Sequence, residues 1–171
     1  MTSSCIWEQK FERLFIPLRD TWRLTKEDSE SLVDITSVAR LGWKKFQNKA
    51  KVKFQCSKCN KRWTSLNGTV IFHYLLSRTE GNGQVKMWLL RQKCLRCNDV
   101  FESAQWYEKE IEKVLGNLLV KVQEKFYDDS GQAQRSLNTN QCSANMSSNH
   151  RKDLCEACSK DVCPLSVIEE I

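Results

Sequence analysis

The chain has 171 residues, of which 40% are hydrophobic and 28% are charged, a balance that excludes a fully disordered protein. This length suits one ordinary domain with a tail. The net charge is +6, and it is unevenly distributed: the block 40–62 holds nine of the 27 basic residues and none of the 21 acidic ones. These nine residues, the basic block, are Arg40, Lys44, Lys45, Lys49, Lys51, Lys53, Lys58, Lys61 and Arg62.

The N-terminal part predicts a helix followed by a short strand. An apolar stripe at helical spacing indicates a helix over 6–18, which Pro17 ends or kinks. The segment TWRL at 21–24 indicates a strand, and a second helix is predicted over 38–49. The residues of the first stripe are Trp7, Phe11, Leu14, Phe15 and Leu18.

From Val52 onward hydrophobic residues recur at every second position, which is typical of a β-strand. Apolar side chains alternate over 70–76 and again over 85–89, and the sequence SRTEGNG between them is typical of a hairpin loop. Both faces of this predicted hairpin are apolar. We therefore expect it to be covered on each side, with the terminal helices as the covering elements.

The C-terminal third predicts one long helix and then a change of character. An apolar stripe indicates a helix over 105–127 that packs on a core. Residues 128–149 are small and polar, which is typical of a flexible linker. We therefore divide the chain into a domain over 1–127, a linker over 128–149 and a Cys/His-containing tail over 150–171.

Six of the nine cysteines fall into three CxxC pairs, a spacing that favours zinc over disulfide bonds. Two such turns supply the four thiolates of a closed structural site. The predicted hairpin lies between the first two pairs, so strand pairing would bring them together. The sequence thus predicts an α+β fold with a zinc-ribbon-like antiparallel β-hairpin core, flanking N- and C-terminal helices, and one Zn²⁺ held by Cys56, Cys59, Cys94 and Cys97.

The tail predicts a second zinc site for which more than one ligand set is possible. His150, Cys155, Cys158 and Cys163 form an H-x4-C-x2-C-x4-C pattern that would close a site locally. Cys142 or His73 could replace one ligand, or the third pair could dock on the first two and exchange partners. A redox role is less favoured because no βαβ pattern surrounds a pair, and no His-Glu arrangement of a catalytic zinc site occurs.

Targeting signals are few. No segment approaches the ~20 apolar residues that span a bilayer, and the N-terminus lacks the basic start and apolar run of a signal peptide. The expected location is the cytoplasm, with no transmembrane segment in this chain.

The order of motifs resembles the receptor-transporting protein family, the 3CxxC-type zinc-finger proteins. The similarity extends over about residues 6–163. It rests on WEQKF, TWRL, GWKKFQNKAKVKFQCSKCNKRWTS, VIFHYLL, GQVKMWLLRQKCLRC, FYDD and CEAC. The family's three CxxC pairs correspond to the three pairs of this chain, and His150 matches the family pattern.

This resemblance implies an accessory or chaperone role and no catalysis. Family members associate with odorant, taste and other G protein-coupled receptors and promote their delivery to the cell surface. One branch is interferon-inducible and acts against viruses through RNA or replication complexes. Members usually end in a membrane-spanning helix, which this chain lacks, so it is expected to be a short isoform, a truncated chain or a naturally soluble member. We expect it to associate through its partners with the cytosolic face of the endoplasmic reticulum or plasma membrane.

The basic block has several competing interpretations. It is a solvated face, or it meets cytosolic receptor loops and an anionic membrane surface, where each basic residue contributes about 1 kcal/mol. RNA is the alternative, because aromatic residues interleave with the lysines as in single-strand binding surfaces. No nucleophile or acid–base constellation occurs, so neither an enzyme nor a small-molecule substrate is predicted. The interleaved aromatic residues are Trp43, Phe46, Phe54 and Trp63.

Overall fold

A computed structural model of the chain describes residues 3–127 and 152–160. Within these ranges the protein has a mixed α+β fold, which confirms the predicted class. The helices are α1 (Ser3–Phe15), α2 (Ile35–Val38), α3 (Glu108–Phe126) and α4 (Glu156–Ser159). The strands are β1 (Thr21–Lys26), β2 (Lys44–Gln55), β3 (Arg62–Ser77), β4 (Asn82–Leu89), β5 (Gln92–Lys93), β6 (Phe101–Glu102) and β7 (Gln105–Trp106).

The main sheet has the strand order β1-β4-β3-β2-β7, and β5 pairs with β6 in a separate ribbon. Two antiparallel hairpins, β2–β3 and β3–β4, form its centre, while β1 lies parallel to β4 at one edge. The connection from β1 to β2, residues 27–43, must therefore cross the sheet; we call it the crossover. The predicted hairpin core is confirmed and is extended by β1 and β7.

The core lies between one face of the sheet and the two long helices. Trp7 and Phe11 of α1, Val114 and Leu118 of α3, and Phe72 of β3 are all fully buried there. Burying side chains of this size contributes about 1.5–3 kcal/mol each relative to exposure, before the entropy of ordering them is counted. The helical stripes seen in the sequence therefore point at the sheet, as predicted. Helix α1 ends before Pro17, as expected.

Gly83 permits close packing at the edge of the sheet. A Cβ atom at this position would lie 2.2 Å from the ring of Trp22, which stands on the neighbouring strand. Any other residue would displace this buried indole. The glycine is thus part of the packing between β1 and β4.

The predicted helix over 38–49 is wrong. Helix α2 and a 3-10 turn end at Gly42, whose φ of 95° is left-handed, and β2 begins at Lys44. Long-range pairing with β3 and burial of Ala50 outweigh the local helical pattern. A period of two was already recognisable from Val52 onward, and the strand extends eight residues further towards the N-terminus.

The expected covering of the hairpin by one helix on each side is also wrong. Helices α1 and α3 contact each other and pack on the same face. On the other face the cover comes from the crossover and from residues 152–160. There Leu32 and Cys155 pack against Ile71, Trp88 and Leu90. Both faces are apolar, as the sequence indicated, but the second is covered by short helical turns and the loops that join them.

Candidate metal centre

The first CxxC pair lies in the tight turn between β2 and β3. The amide of Asn60 donates to the carbonyl of Cys56 at 3.0 Å, and the amide of Cys56 donates to Lys61 O at 2.9 Å. The amides of Lys58 and Cys59 point at Cys56 Sγ, at 3.4 and 3.5 Å. These N–H groups hold the sulfur of Cys56 inside the turn.

The second CxxC pair lies between β5 and β6 and shares one hydrogen bond of this geometry. The amide of Asn98 donates to Cys94 O at 2.7 Å. Asn98 has a φ of 43° and Asn60 a φ of 58°, both in the left-handed region that asparagine tolerates. The asparagine after each pair therefore allows the chain to leave the tight turn in a left-handed conformation.

The two turns bring four sulfurs together at one end of the sheet. Those of Cys56, Cys59, Cys94 and Cys97 lie within 4.8 Å of one another. The Sγ atoms of Cys59 and Cys94 are 3.7 Å apart. A tetrahedral site with Zn–S bonds of about 2.3 Å requires sulfurs about 3.8 Å apart, so the donor set and its spacing fit zinc.

The electrostatics of this sulfur cluster also favour a bound cation. Hydrogen bonding to Cys59 and Cys56, together with burial and the charge of their sulfurs, raises the pKa of Cys97 to about 12. Several thiolates cannot ionise side by side unless a positive charge lies among them, and a divalent metal supplies it. The cluster is thus suited to hold Zn²⁺.

Polar contacts join the two turns around the cluster. Lys58 of the first turn forms an ion pair with Asp99, just after the second, and this pairing lowers the pKa of Asp99. Ser57 donates to Glu102 through its amide at 2.9 Å and its hydroxyl at 2.6 Å. These two hydrogen bonds lower the pKa of Glu102. The contacts align the turns from outside the sulfur cluster.

The third CxxC pair lies apart from this cluster in the described part of the chain. Cys155 forms an isolated antiparallel bridge with Gln92 and is 4% exposed. Neither Cys155 nor Cys158 belongs to the group of four sulfurs. Their predicted partners His150 and Cys163, and the alternative Cys142, lie outside the described residues. The second zinc site therefore stays a prediction.

Arg91 and Glu156 hold this third pair against the sheet, and sequence reasoning missed both. The side chain of Glu156 is only 2% exposed. Its carboxylate accepts three hydrogen bonds from Arg91: from the backbone amide at 3.0 Å, from Nε at 3.0 Å and from a terminal guanidinium nitrogen at 2.7 Å. The amide of Glu156 donates back to Arg91 O at 3.1 Å. The only sequence signal was a carboxylate inside a CxxC turn.

The basic block is not brought together in one place. Five of its lysines follow the whole length of β2, while Lys58, Lys61 and Arg62 surround the first CxxC turn and Arg40 lies on the crossover. Lys58 is neutralised by its ion pair with Asp99. The five lysines on β2 are Lys44, Lys45, Lys49, Lys51 and Lys53.

His73, considered as a zinc ligand, lies elsewhere. It is 2% exposed, and its ring packs edge-on against Trp88 with centroids 4.6 Å apart. Its Nε2 has no hydrogen-bond partner among the described residues. Burial first, and then the charges of Lys45 and Lys86, lower the pKa of His73 to about 4. The neutral ring is a packed core group.

The pKa of His73 predicts a loss of stability in acid. An unfolded histidine binds a proton below about pH 6.5, whereas folded His73 does so only below about 4. The unfolded state therefore binds more protons between these values, and the free energy of unfolding falls as the pH falls, by up to about 3 kcal/mol. Urea unfolding of wild type and His73→Gln at pH 7 and pH 5 measures this. The wild type should lose roughly 2 kcal/mol more than the variant; equal losses would contradict the assignment.

Comparison with known proteins identifies the family. The family model of a zinc-binding domain, the 3CxxC zinc ribbon, matches residues 49–161, more than half of the chain. The chain belongs to this family. The matched region contains all three CxxC pairs, and zinc is the cofactor of this 3CxxC domain.

Curated relatives of this 3CxxC protein include several receptor-transporting proteins, which confirms the resemblance. Receptor-transporting protein 2 of Mus musculus is 28% identical over 164 residues, or 94% of this chain and 70% of the relative. Receptor-transporting protein 4 of Homo sapiens is 28% identical over 160 residues, or 92% and 63%. Receptor-transporting protein 1 of Homo sapiens is 29% identical over 123 residues, or 71% and 46%. The chain thus spans between 46% and 70% of the length of these relatives.

No solved structure matches this 3CxxC protein. Among its described residues, no helix has the length and apolar character needed to cross a membrane.

Proposed function

We propose that this 3CxxC protein is an accessory protein that binds G protein-coupled receptors of the odorant or taste type on their cytosolic side and promotes their delivery to the cell surface. The observation that carries this proposal is that its relatives, matched over 71% to 94% of the chain, are receptor-transporting proteins. A role in receptor traffic follows from this similarity; the receptor class and the surface delivery are our inference.

In this proposal zinc has a structural role. Cys56, Cys59, Cys94 and Cys97 hold one Zn²⁺, and their tetrahedral spacing supports this assignment. A second Zn²⁺ is held by Cys155 and Cys158 with His150 and Cys163. Four thiolates around the first ion leave no open position for a substrate, so the protein acts by binding and not by catalysis.

The proposal is tested by co-expressing the full chain with a poorly trafficking odorant receptor and measuring receptor on intact cells by surface antibody labelling. We expect the intact chain to raise surface receptor several-fold and the Cys94→Ser variant to lose the gain. Leu95→Ser is the matched control, because Leu95 lies in the same turn, is 55% exposed and carries no metal-binding atom.

The outcomes separate receptor delivery from other roles. Surface receptor that does not rise, with the chain well expressed and zinc-loaded, would contradict the proposal. Crosslinking to RNA in the same cells would then support the alternative, an antiviral RNA-binding protein. A gain that persists in Cys94→Ser would show that the zinc scaffold is not needed for delivery.

A further inference from the structure

The two faces of the main sheet differ in charge. The helices that cover one face are balanced, with two acidic and two basic residues in α1 and four of each in α3. On the other face, strand alternation places Lys45, Lys51 and Lys53 on one side of β2, opposite the buried Val52 and Phe54. Three lysines of the basic block thus lie on the face opposite the helices.

Neighbouring strands add to this surface. Lys86 of β4 and Lys45 of β2 lie in one cross-strand row, on either side of His73. Arg23 projects from β1 on the same face and is exposed, since Trp22 and Leu24 point into the core. We name the lysine face as the set Arg23, Lys45, Lys51, Lys53 and Lys86.

The crossover, which runs over this face, contributes four acidic residues: Glu27, Asp28, Glu30 and Asp34. None of the ion pairs among the described residues involves a member of the lysine face. Asp34 has its pKa lowered mainly by hydrogen bonds from Thr36 and, more weakly, by Lys45. The cationic groups are thus available to an external anion.

An exposed apolar side chain stands beside these charges. The crossover runs over the same face, where the left-handed Gly42 brings it close to Leu75 and Trp43 lies under the ammonium group of Lys86 at 5.2 Å. Leu41, one residue before Gly42, is 72% exposed, and Arg40 beside it is exposed too. Basic residues around a projecting leucine are suited to the boundary between lipid headgroups and acyl chains.

The aromatic residues that suggested RNA binding make contacts within the protein. Phe54 is 2% exposed and stacks on Trp63 with ring centroids 5.1 Å apart. Phe46 stacks on the buried Phe72, on the helical side of the sheet. Single-strand binding depends on free ring faces; Phe54 offers none, while Trp43 and Trp63 are half-buried, each with one contact inside the fold. The rings nearest the lysine face, Tyr107 and Trp43, are in cation–π contact with Lys53 and Lys86, an arrangement that suits diffuse negative charge and favours a membrane over RNA.

We propose that the lysine face, together with Leu41, docks on a membrane surface rich in anionic phospholipid. The lysines approach the headgroups of the membrane, and Leu41 enters the interface beside Arg40. This inference deepens the proposed function and rests on it for its cellular setting, since receptors are met at membranes. Docking on a membrane needs no receptor, so the membrane proposal can fail while receptor delivery holds, and the reverse.

The test is flotation of the purified, zinc-loaded full chain with two kinds of vesicle: phosphatidylcholine alone, and phosphatidylcholine with 30% phosphatidylserine. Each basic residue near such a surface contributes about 1 kcal/mol. The triple variant Lys45→Gln, Lys51→Gln, Lys53→Gln should therefore bind the anionic vesicles about a hundredfold more weakly. Leu41→Ser should weaken the binding that remains at 0.5 M salt, where charge attraction is screened.

The matched control removes the same number of positive charges from the helical side of the sheet. It is the triple variant Lys109→Gln, Lys113→Gln, Lys125→Gln on α3, where all three lysines are exposed. Circular dichroism and zinc content must be unchanged in both variants. Control binding that stays within a few-fold of wild type supports a specific face. Equal binding to both vesicles, or equal losses in both triple variants, would overturn the proposal. Vesicle binding that is absent while single-stranded RNA binds and depends on the lysine face would replace lipid by RNA.

Discussion

Cys94→Ser is expected to lose zinc and to lose the cooperative thermal unfolding of the wild-type protein. A structural zinc contributes about 10–16 kcal/mol of apparent binding free energy in small zinc domains, which is as large as the whole stability of a typical domain. Cys94 is 1% exposed and holds the second turn to the first, with its sulfur 3.7 Å from that of Cys59. Strong chelation of the wild type should have the same effect, and re-addition of Zn²⁺ should reverse it.

Zinc content and melting followed by circular dichroism measure this result. Leu95→Ser introduces the same residue one position along and should keep both the zinc and a melting temperature within a few degrees. A Cys94→Ser protein that melts like the wild type would show that the core between the sheet and the helices is stable without metal.

The second large effect is expected at the contact between Arg91 and Glu156. Arg91→Met leaves a carboxylate whose side chain is 2% exposed without its cation. Breaking a buried pair in this way costs about 3–5 kcal/mol, and the lower end is expected because Arg91 is 37% exposed. Residues 152–160 should then detach from the sheet, and Trp88 and Ile71 beneath Cys155 should become accessible.

Hydrogen exchange at the amides of Ser159 and Lys160, which bond within this segment, measures the detachment. Their protection should fall by two orders of magnitude or more, while that of the β3–β4 hairpin stays near the wild-type value. The control is the double variant Arg91→Met, Glu156→Leu, which removes both charges and should restore part of the protection. Unchanged protection in Arg91→Met would assign the docking of this segment to apolar packing alone.

The zinc cluster could be predicted from the sequence, whereas the contact between Arg91 and Glu156 could not. The zinc cluster could be predicted because CxxC is a local motif with one dominant structural use and because a hairpin loop separates the first two pairs. The contact between Arg91 and Glu156 could not be predicted, since it joins residues 65 positions apart and each looks like an ordinary surface charge. The place of the third CxxC pair, beside Gln92 and over Ile71, was hidden for the same reason.

The secondary-structure predictions also separate into those set by a local pattern and those set by long-range contacts. Helices α1 and α3 have stripes that repeat over three or more turns, and these predicted both helices and their buried residues. The wrong helix over 38–49 lies where the local pattern is short and where pairing of β2 with β3 decides the conformation. Which face each helix covers depends on chain connectivity, because both faces of the hairpin are apolar.

The sequence by itself determined the class of fold, the metal and the residues of the first site, because these depend on short-range spacing and composition. Only the tertiary structure decided where the charge of the basic block is presented. Alternation along β2 directs Lys45, Lys51 and Lys53 to one face, and the sheet adds Lys86 and Arg23 from strands distant in the chain. The same packing buries Phe54 and stacks Phe46 on Phe72, two of the aromatic residues of that linear pattern. Pairing and packing are set by contacts across the whole chain, and a linear pattern does not contain them.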